Sequence, residues 1–294
     1  MLLEPRKVKL TTRTRIEISR TLPNARKRMI GAWAFADHFG PTVQAEGMVV
    51  AAHPHTGLQT ATWLIEGSIE HRDSLGTIQH INPGQLNLMT AGHGIAHSEL
   101  SLADAKMLHA VQLWIALPES AREMDPEFQH VENPPEVVLG DSQIRIFAGE
   151  LFGLRAETKI FSELVGAEVR VSSGNKVAIP VAEDFEHGIL VIQGEAQVND
   201  EIAAAGQMIY REPGTSEFEV AAGSQDLKFL LLGGQPFEES IVMWWNFIGR
   251  SHDEIVEMRR AWNARESRFA EFADRIGGWT PAPELPNVIL RARN

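Results

Sequence analysis

Apolar residues along the chain come in short runs separated by turn residues, a pattern that predicts strands rather than long helices. Thr62-Trp63-Leu64-Ile65 runs into Glu66-Gly67-Ser68, and Leu86-Asn87-Leu88-Met89 follows Asn82-Pro83-Gly84. Val111-Gln112-Leu113-Trp114-Ile115 predicts a further strand, and Pro118 to Arg122 begins a connection. Short, evenly spaced strands with Gly and Pro turns predict an all-β sandwich or barrel. The charged, proline-bearing stretch from Pro126 to Pro134-Pro135 reads as a surface linker and puts a domain boundary close to residue 135.

Beyond that boundary the pattern returns. Leu64-Ile65-Glu66-Gly67-Ser68 recurs as Val191-Ile192-Gln193-Gly194-Glu195, and Pro83-Gly84-Gln85-Leu86 as Ala205-Gly206-Gln207-Met208. Residues 136–236 are therefore expected to form a degenerate copy of a domain over 1–135. The last part, 237–294, changes period. Ser251-His252-Asp253-Glu254 is a capping-box pattern with acids in the first turn, so a helix is expected from about residue 252. Ile255, Met258 and Trp262 give it one apolar stripe, and Glu257, Arg259, Arg260 and Arg265 a solvated face. The preceding Met243-Trp244-Trp245-Asn246-Phe247-Ile248 run is too short to span a membrane and predicts a buried strand or docking segment.

Composition narrows the function classes. The 294 residues suffice for two domains, and 44% hydrophobic content suffices for their cores. A net charge of −12 disfavours nucleic acid as a direct partner. The absence of cysteine removes disulfides and thiolate ligands, which fits a cytoplasmic setting. Met1 to Lys9 mixes Glu4, Arg6, Lys7 and Lys9 with no apolar run after it, so no secretory signal is expected. No apolar run reaches the length of a membrane span either.

The chemistry concentrates in two strand-like segments, His53-Pro54-His55 and Gly94-Ile95-Ala96-His97-Ser98-Glu99. Residues i and i+2 of a strand project to the same side, so each segment offers two donors to one point. Three imidazoles and a carboxylate suit Fe(II), Mn(II), Co(II), Ni(II), Cu(II) or Zn(II), and suit Mg(II) and Ca(II) poorly. In octahedral geometry, four protein donors leave two positions for substrate, water or dioxygen. Projected without gaps onto the second domain, His53 and His55 fall on Pro180 and Ala182, His97 on Glu219 and Glu99 on Ala221. At most one donor survives, so the second domain is expected to hold no metal. His93 is a candidate outer contact of the site. His71 and His80 read as solvated or structural, His109 and His187 as hydrogen-bonded barrel residues, and Trp63 and Trp114 as core.

Gly47, His53-Pro54-His55 and Gly67, then Pro83-Gly84 and Gly94 with His97, resemble the two cupin motifs. The longer segments His53-Pro54-His55-Thr56-Gly57-Leu58, Ile81-Asn82-Pro83-Gly84, Met89 to Glu99 and Val111-Gln112-Leu113-Trp114 resemble the pirin family, from about Phe35 through the second domain. The resemblance implies two tandem cupin domains, with metal only in the first. Its ligands are implied at His53, His55, His97 and Glu99. The glutamate that many cupins carry three or four residues after His-x-His is Gln59 or Thr60 here, and Glu99 supplies the carboxylate instead. The activity implied is quercetin 2,3-dioxygenase chemistry on a flavonol and dioxygen, with Fe(II) as the first expectation and Glu99 as the catalytic base. The alternative implied is a metal-dependent regulatory protein that binds a protein partner.

Overall fold

The strands foreseen from the apolar runs are present and longer than the runs themselves. In the computed structural model Thr62–Ile65 lies within strand Leu58–Glu66, Leu86–Met89 within Leu86–Thr90, and Val111–Ile115 within Met107–Ala116. The structure describes residues 1–9, 16–43, 47–102, 107–269, 272 and 278–293. No helix among them is long and apolar enough to cross a membrane. The chain forms two units, each a cupin domain of two β-sheets. One comprises Lys9–Ile18, Phe39–His130 and Glu238–Asn294, and the other Met1–Val8, Ser19–His38 and Val131–Phe237. Both are discontinuous, unlike the contiguous segments 1–135, 136–236 and 237–294 read from the sequence. Hydrogen bonding between distant residues is the reason: Leu2 and Leu3 pair with Ile209 and Met208 at the edge of a sheet of the second unit.

In the unit that carries His53 and His97, the smaller sheet has the order Val49–His55, Ile95–Ser101, Ile69–Asp73, Ile78–Ile81. The larger sheet runs Glu127–Val131, Leu86–Thr90, Leu58–Glu66, Met107–Ala116 and onward. Leu58 to Ile65 is buried at every residue, as expected of a strand covered on both faces. The predicted linker from Pro126 to Pro135 is in part an edge strand, Glu127–Val131, whose residues are each half-buried. An edge strand tolerates the charge that made this stretch read as linker.

The C-terminal extension packs on this unit. Helix α1 spans His252–Asn263, with Ser251 as N-cap accepting from the Glu254 backbone N–H at 3.2 Å. Its Ile255, Met258, Ala261 and Trp262 form a core with Ala96, Phe247 and Phe269. Burying each large apolar side chain is worth roughly 1.5–3 kcal/mol, and Ala96 ties that core to the strand of His97. The tryptophan run before the helix is a hairpin, Val242–Trp244 and Phe247–Gly249, with Trp245 at φ 52° in its turn. The chain then returns along Val49–His55: Ala52 N–H donates to Gly278 O at 3.0 Å, and Thr280 N–H donates to Ala52 O at 2.9 Å. These bonds occupy backbone groups that a sheet edge would leave open.

The second unit repeats the plan strand for strand. Its smaller sheet has the order Lys176–Pro180, Glu217–Ala222, Glu195–Val198, Glu201–Ala204. Even a bulge recurs, between His109 and Ala110 in one unit and between Val191 and Gln193 in the other. Register fixes the equivalence. Ile69 faces Ser101 as Ala196 faces Ala222, and His53 faces His97 as Ile179 faces Phe218. His53, His97 and Glu99 thus correspond to the buried, apolar Ile179, Phe218 and Val220. The ungapped projection slips by one residue. Glu219, the donor it retained, points outward and pairs with Lys176 at 2.8 Å. His187, which takes the place of Thr60, is fully buried, and neither ring nitrogen has a hydrogen-bond partner among the described residues. It was expected to be hydrogen-bonded.

Candidate metal centre

The alternation of a strand brings His53 and His55 to one face, and pairing with Ile95–Ser101 supplies His97. His97 stands opposite His53, and Ile95 opposite His55. The three rings pack with centroids 4.4 Å apart for His53 and His97, and 5.0 Å for each pair that includes His55. One ring nitrogen from each lies within 4.8 Å of the others. Gly57 and Gly92 hold the ends of these strands together. Both have positive φ, and a Cβ would stand 2.2 Å from Ile248 O at Gly57 and 2.0 Å from Met124 O at Gly92.

Burial sets the protonation of the cluster. Loss of water holds His53 down at about 4, and it holds His55 and His97 well below the ordinary histidine value. Mutual repulsion among the rings adds to the shift of His55 and His97. All three are neutral at pH 7, and each keeps one lone pair. His53 Nδ1–H donates to Ala51 O at 2.8 Å, which leaves Nε2 bare. His55 Nε2 and His97 Nε2 face each other at 3.1 Å. Such a pair needs a proton between its nitrogens unless a cation takes that place, so the donors fit a metal ion. Trp114, expected to be plain core, sets its ring edge-on to His55 at 5.2 Å. Trp63 is fully buried core.

Glu99 joins a second group. Its carboxylate lies within 4.8 Å of ligand nitrogens of His71 and His97, so His97 is common to both clusters. A register shift contributes: between His97 and Glu99 the ladder slips, and Glu99 faces Val50 rather than Ala51. Thr62 Oγ1–H donates to Glu99 Oε1 at 3.3 Å. Burial raises the pKa of Glu99, and the neighbouring His71 and the Thr62 hydrogen bond oppose the rise.

His71 is the residue that the sequence reading missed. It is buried, stacks on Phe128 at 4.6 Å, and stands across the ladder from Glu99. Its Nε2 lies 3.0 Å from Asp73 Oδ2, and its Nδ1 lies 3.4 Å from His97 Nδ1. The alternation Ile69, His71, Asp73 could have marked one inward face. Their neighbour His97 lies too far along the chain for local pattern to reveal. His93 stays outside the cluster, with Nε2 3.4 Å from the exposed Asp125. His80 is half-exposed on Glu70, at 2.8 Å.

The Pirin family profile matches residues 13–115, and the Pirin C-terminal cupin domain profile matches residues 166–270. This chain belongs to the pirin family. A Pseudomonas aeruginosa protein named "Putative quercetin 2,3-dioxygenase" is 41% identical over 273 residues, covering 92% of this pirin and 86% of the relative. A Caulobacter vibrioides "Pirin-like protein" is 35% identical over 279 residues, covering 91% and 94%. The crystal structure of quercetin 2,3-dioxygenase from Acinetobacter baumannii superposes with a TM-score of 0.94 at 39% identity, covering 99% of this pirin and 97% of that chain. In this pirin the histidine cluster lies within the segment matched by the first profile. The donor-free equivalents lie within the segment matched by the second.

Proposed function

We propose that the chain holds one divalent transition-metal ion through His53, His55, His97 and Glu99. We propose further that it works as a dioxygenase of the quercetin 2,3-dioxygenase type on a flavonol or a related enolisable small molecule. The observation that carries this reading is the buried pair His55 and His97, two neutral imidazoles meeting Nε2 to Nε2 at 3.1 Å with His53 beside them. The likeness to proteins named for that activity supports the choice of chemistry. The ion expected is Fe(II), and the donors also suit Ni, Mn, Co, Cu or Zn. The second cupin has no part in binding it.

A divalent ion at this place would lower the pKa of a bound enol hydroxyl and serve dioxygen chemistry. Glu99 is the base for that hydroxyl. It would act on loosening from the ion, and Thr62 Oγ1–H, which donates to Oε1 at 3.3 Å, orients that oxygen. Loss of the 3-hydroxyl proton to Glu99 leaves an electron-rich flavonolate, the form that reacts with oxygen. Trp114 packs edge-on against the buried His55 ring. The test is metal content and quercetin consumption side by side. Tight binding of one ion, with no turnover of quercetin, would move the assignment to another substrate or to a metal-dependent regulator of a protein partner.

A further inference from the structure

We infer that Asp73, His71 and His97 form a buried hydrogen-bond relay that fixes which nitrogen of His97 is free to bind metal. The inference rests on the proposed ligand set, and it makes His71 and Asp73 positioning residues rather than ligands. Asp73 Oδ1 is already committed, accepting the backbone N–H of Leu75 at 2.9 Å and of Thr77 at 3.1 Å. Its Oδ2 accepts from His71 Nε2–H at 3.0 Å. A neutral imidazole has a single N–H, so His71 Nδ1 then holds a lone pair. That lone pair faces His97 Nδ1 at 3.4 Å and takes its proton as a hydrogen bond. His97 is left with a bare Nε2, the atom 3.1 Å from His55 Nε2. Phe128, stacked on His71 at an interplanar angle of 26°, holds the plane of that ring.

The competing arrangement is definite. In the other tautomer His71 carries its proton on Nδ1, donates to His97 Nδ1 and forces the His97 proton onto Nε2, toward His55. In that state His97 could not ligate through Nε2. Outer partners of this kind characteristically set ligand tautomers, though here a histidine stands between the carboxylate and the ligand.

Asp73→Asn inverts the relay. The two backbone N–H groups keep the amide oxygen at the Oδ1 position, so the amide nitrogen stands where Oδ2 stood and donates to His71 Nε2. The His71 proton moves to Nδ1, where it opposes the His97 proton. The first measurement is nitrogen NMR of histidine tautomers in the metal-free wild-type protein, with His97 expected to carry its proton on Nδ1. The second is Co(II) affinity by competition with a chromophoric chelator. Asp73→Asn and His71→Phe should each weaken binding roughly 10- to 100-fold, and the double variant should be no worse than the weaker single. His71→Asn, whose Oδ1 can accept from His97, should recover most of the loss. A His97 proton on Nε2 in the wild type, or wild-type cobalt affinity in both single variants, would overturn the relay. Wild-type protein that binds no cobalt would sink the ligand reading instead, and the NMR result would still decide the relay.

Discussion

His97 stands directly across the ladder from His53, whereas Glu99, two residues further on, stands opposite Val50. The extra residue that the Val49–His55 strand takes up between these pairs splits the donors. Three imidazoles form one group, and the carboxylate forms a second with His71 and His97, so that His97 belongs to both. The acid therefore reaches the centre from the His71 side.

Glu99→Gln removes the base and the charge and preserves the shape. Turnover of quercetin should fall by about two to four orders of magnitude, the usual worth of a positioned general base, and metal affinity should fall with it. Metal analysis beside single-turnover kinetics checks both. Full occupancy with full turnover would remove Glu99 from the mechanism.

Acid should unfold the metal-free protein by protonating its buried histidines. The unfolded chain takes up protons near the ordinary value of 6.5, while folded His53 holds out to about 4, and folded His55 and His97 to well below 6.5. The unfolded state thus binds more protons in that window, and stability falls as pH falls from 6.5 toward 4. Each histidine contributes at most about 1.4 kcal/mol per pH unit. Urea unfolding across this range measures the slope. Bound metal should delay the loss, because it occupies the lone pairs that protons would otherwise take.

His187 offers a control in the other unit. Burial pushes it down to about 4 against the opposing pull of Asp184 and Glu186, and neither nitrogen has a hydrogen-bond partner among the described residues. His187→Leu has similar volume and no polar atoms, so it should stabilise the protein by roughly 1–3 kcal/mol and flatten the acid slope without changing metal content. Calorimetry at pH 7 and pH 5 would show it. A destabilised variant would mean that His187 has a partner in solution.

Much of this was legible in the sequence for a physical reason: the signals were local. The capping box at Ser251 announced α1, turn glycines and prolines marked the strands, and His-x-His at 53 and 55 needed only the two-residue alternation of a strand. What sequence could not reveal depends on partners far along the chain. The pairing of Leu2 and Leu3 with Ile209 and Met208 draws the N terminus into the other unit. The ladder joining Ile69–Asp73 to Ile95–Ser101 turns His71 from a residue near a turn into a neighbour of His97. Comparing the repeats by motif alone misplaced the second set by one residue, and that is enough in a strand to exchange inside for outside.

The most direct test is anaerobic reconstitution with Fe(II), Ni(II), Mn(II), Co(II) and Cu(II) in turn. Quercetin and oxygen are then added while flavonol absorbance and carbon monoxide are recorded, with His97→Ala as control. The expected result is one ion per chain, loss of the flavonol band and matching release of carbon monoxide, with binding and turnover both lost in the variant. No carbon monoxide from any loaded form, or undiminished release from His97→Ala, would contradict a dioxygenase centred on these histidines.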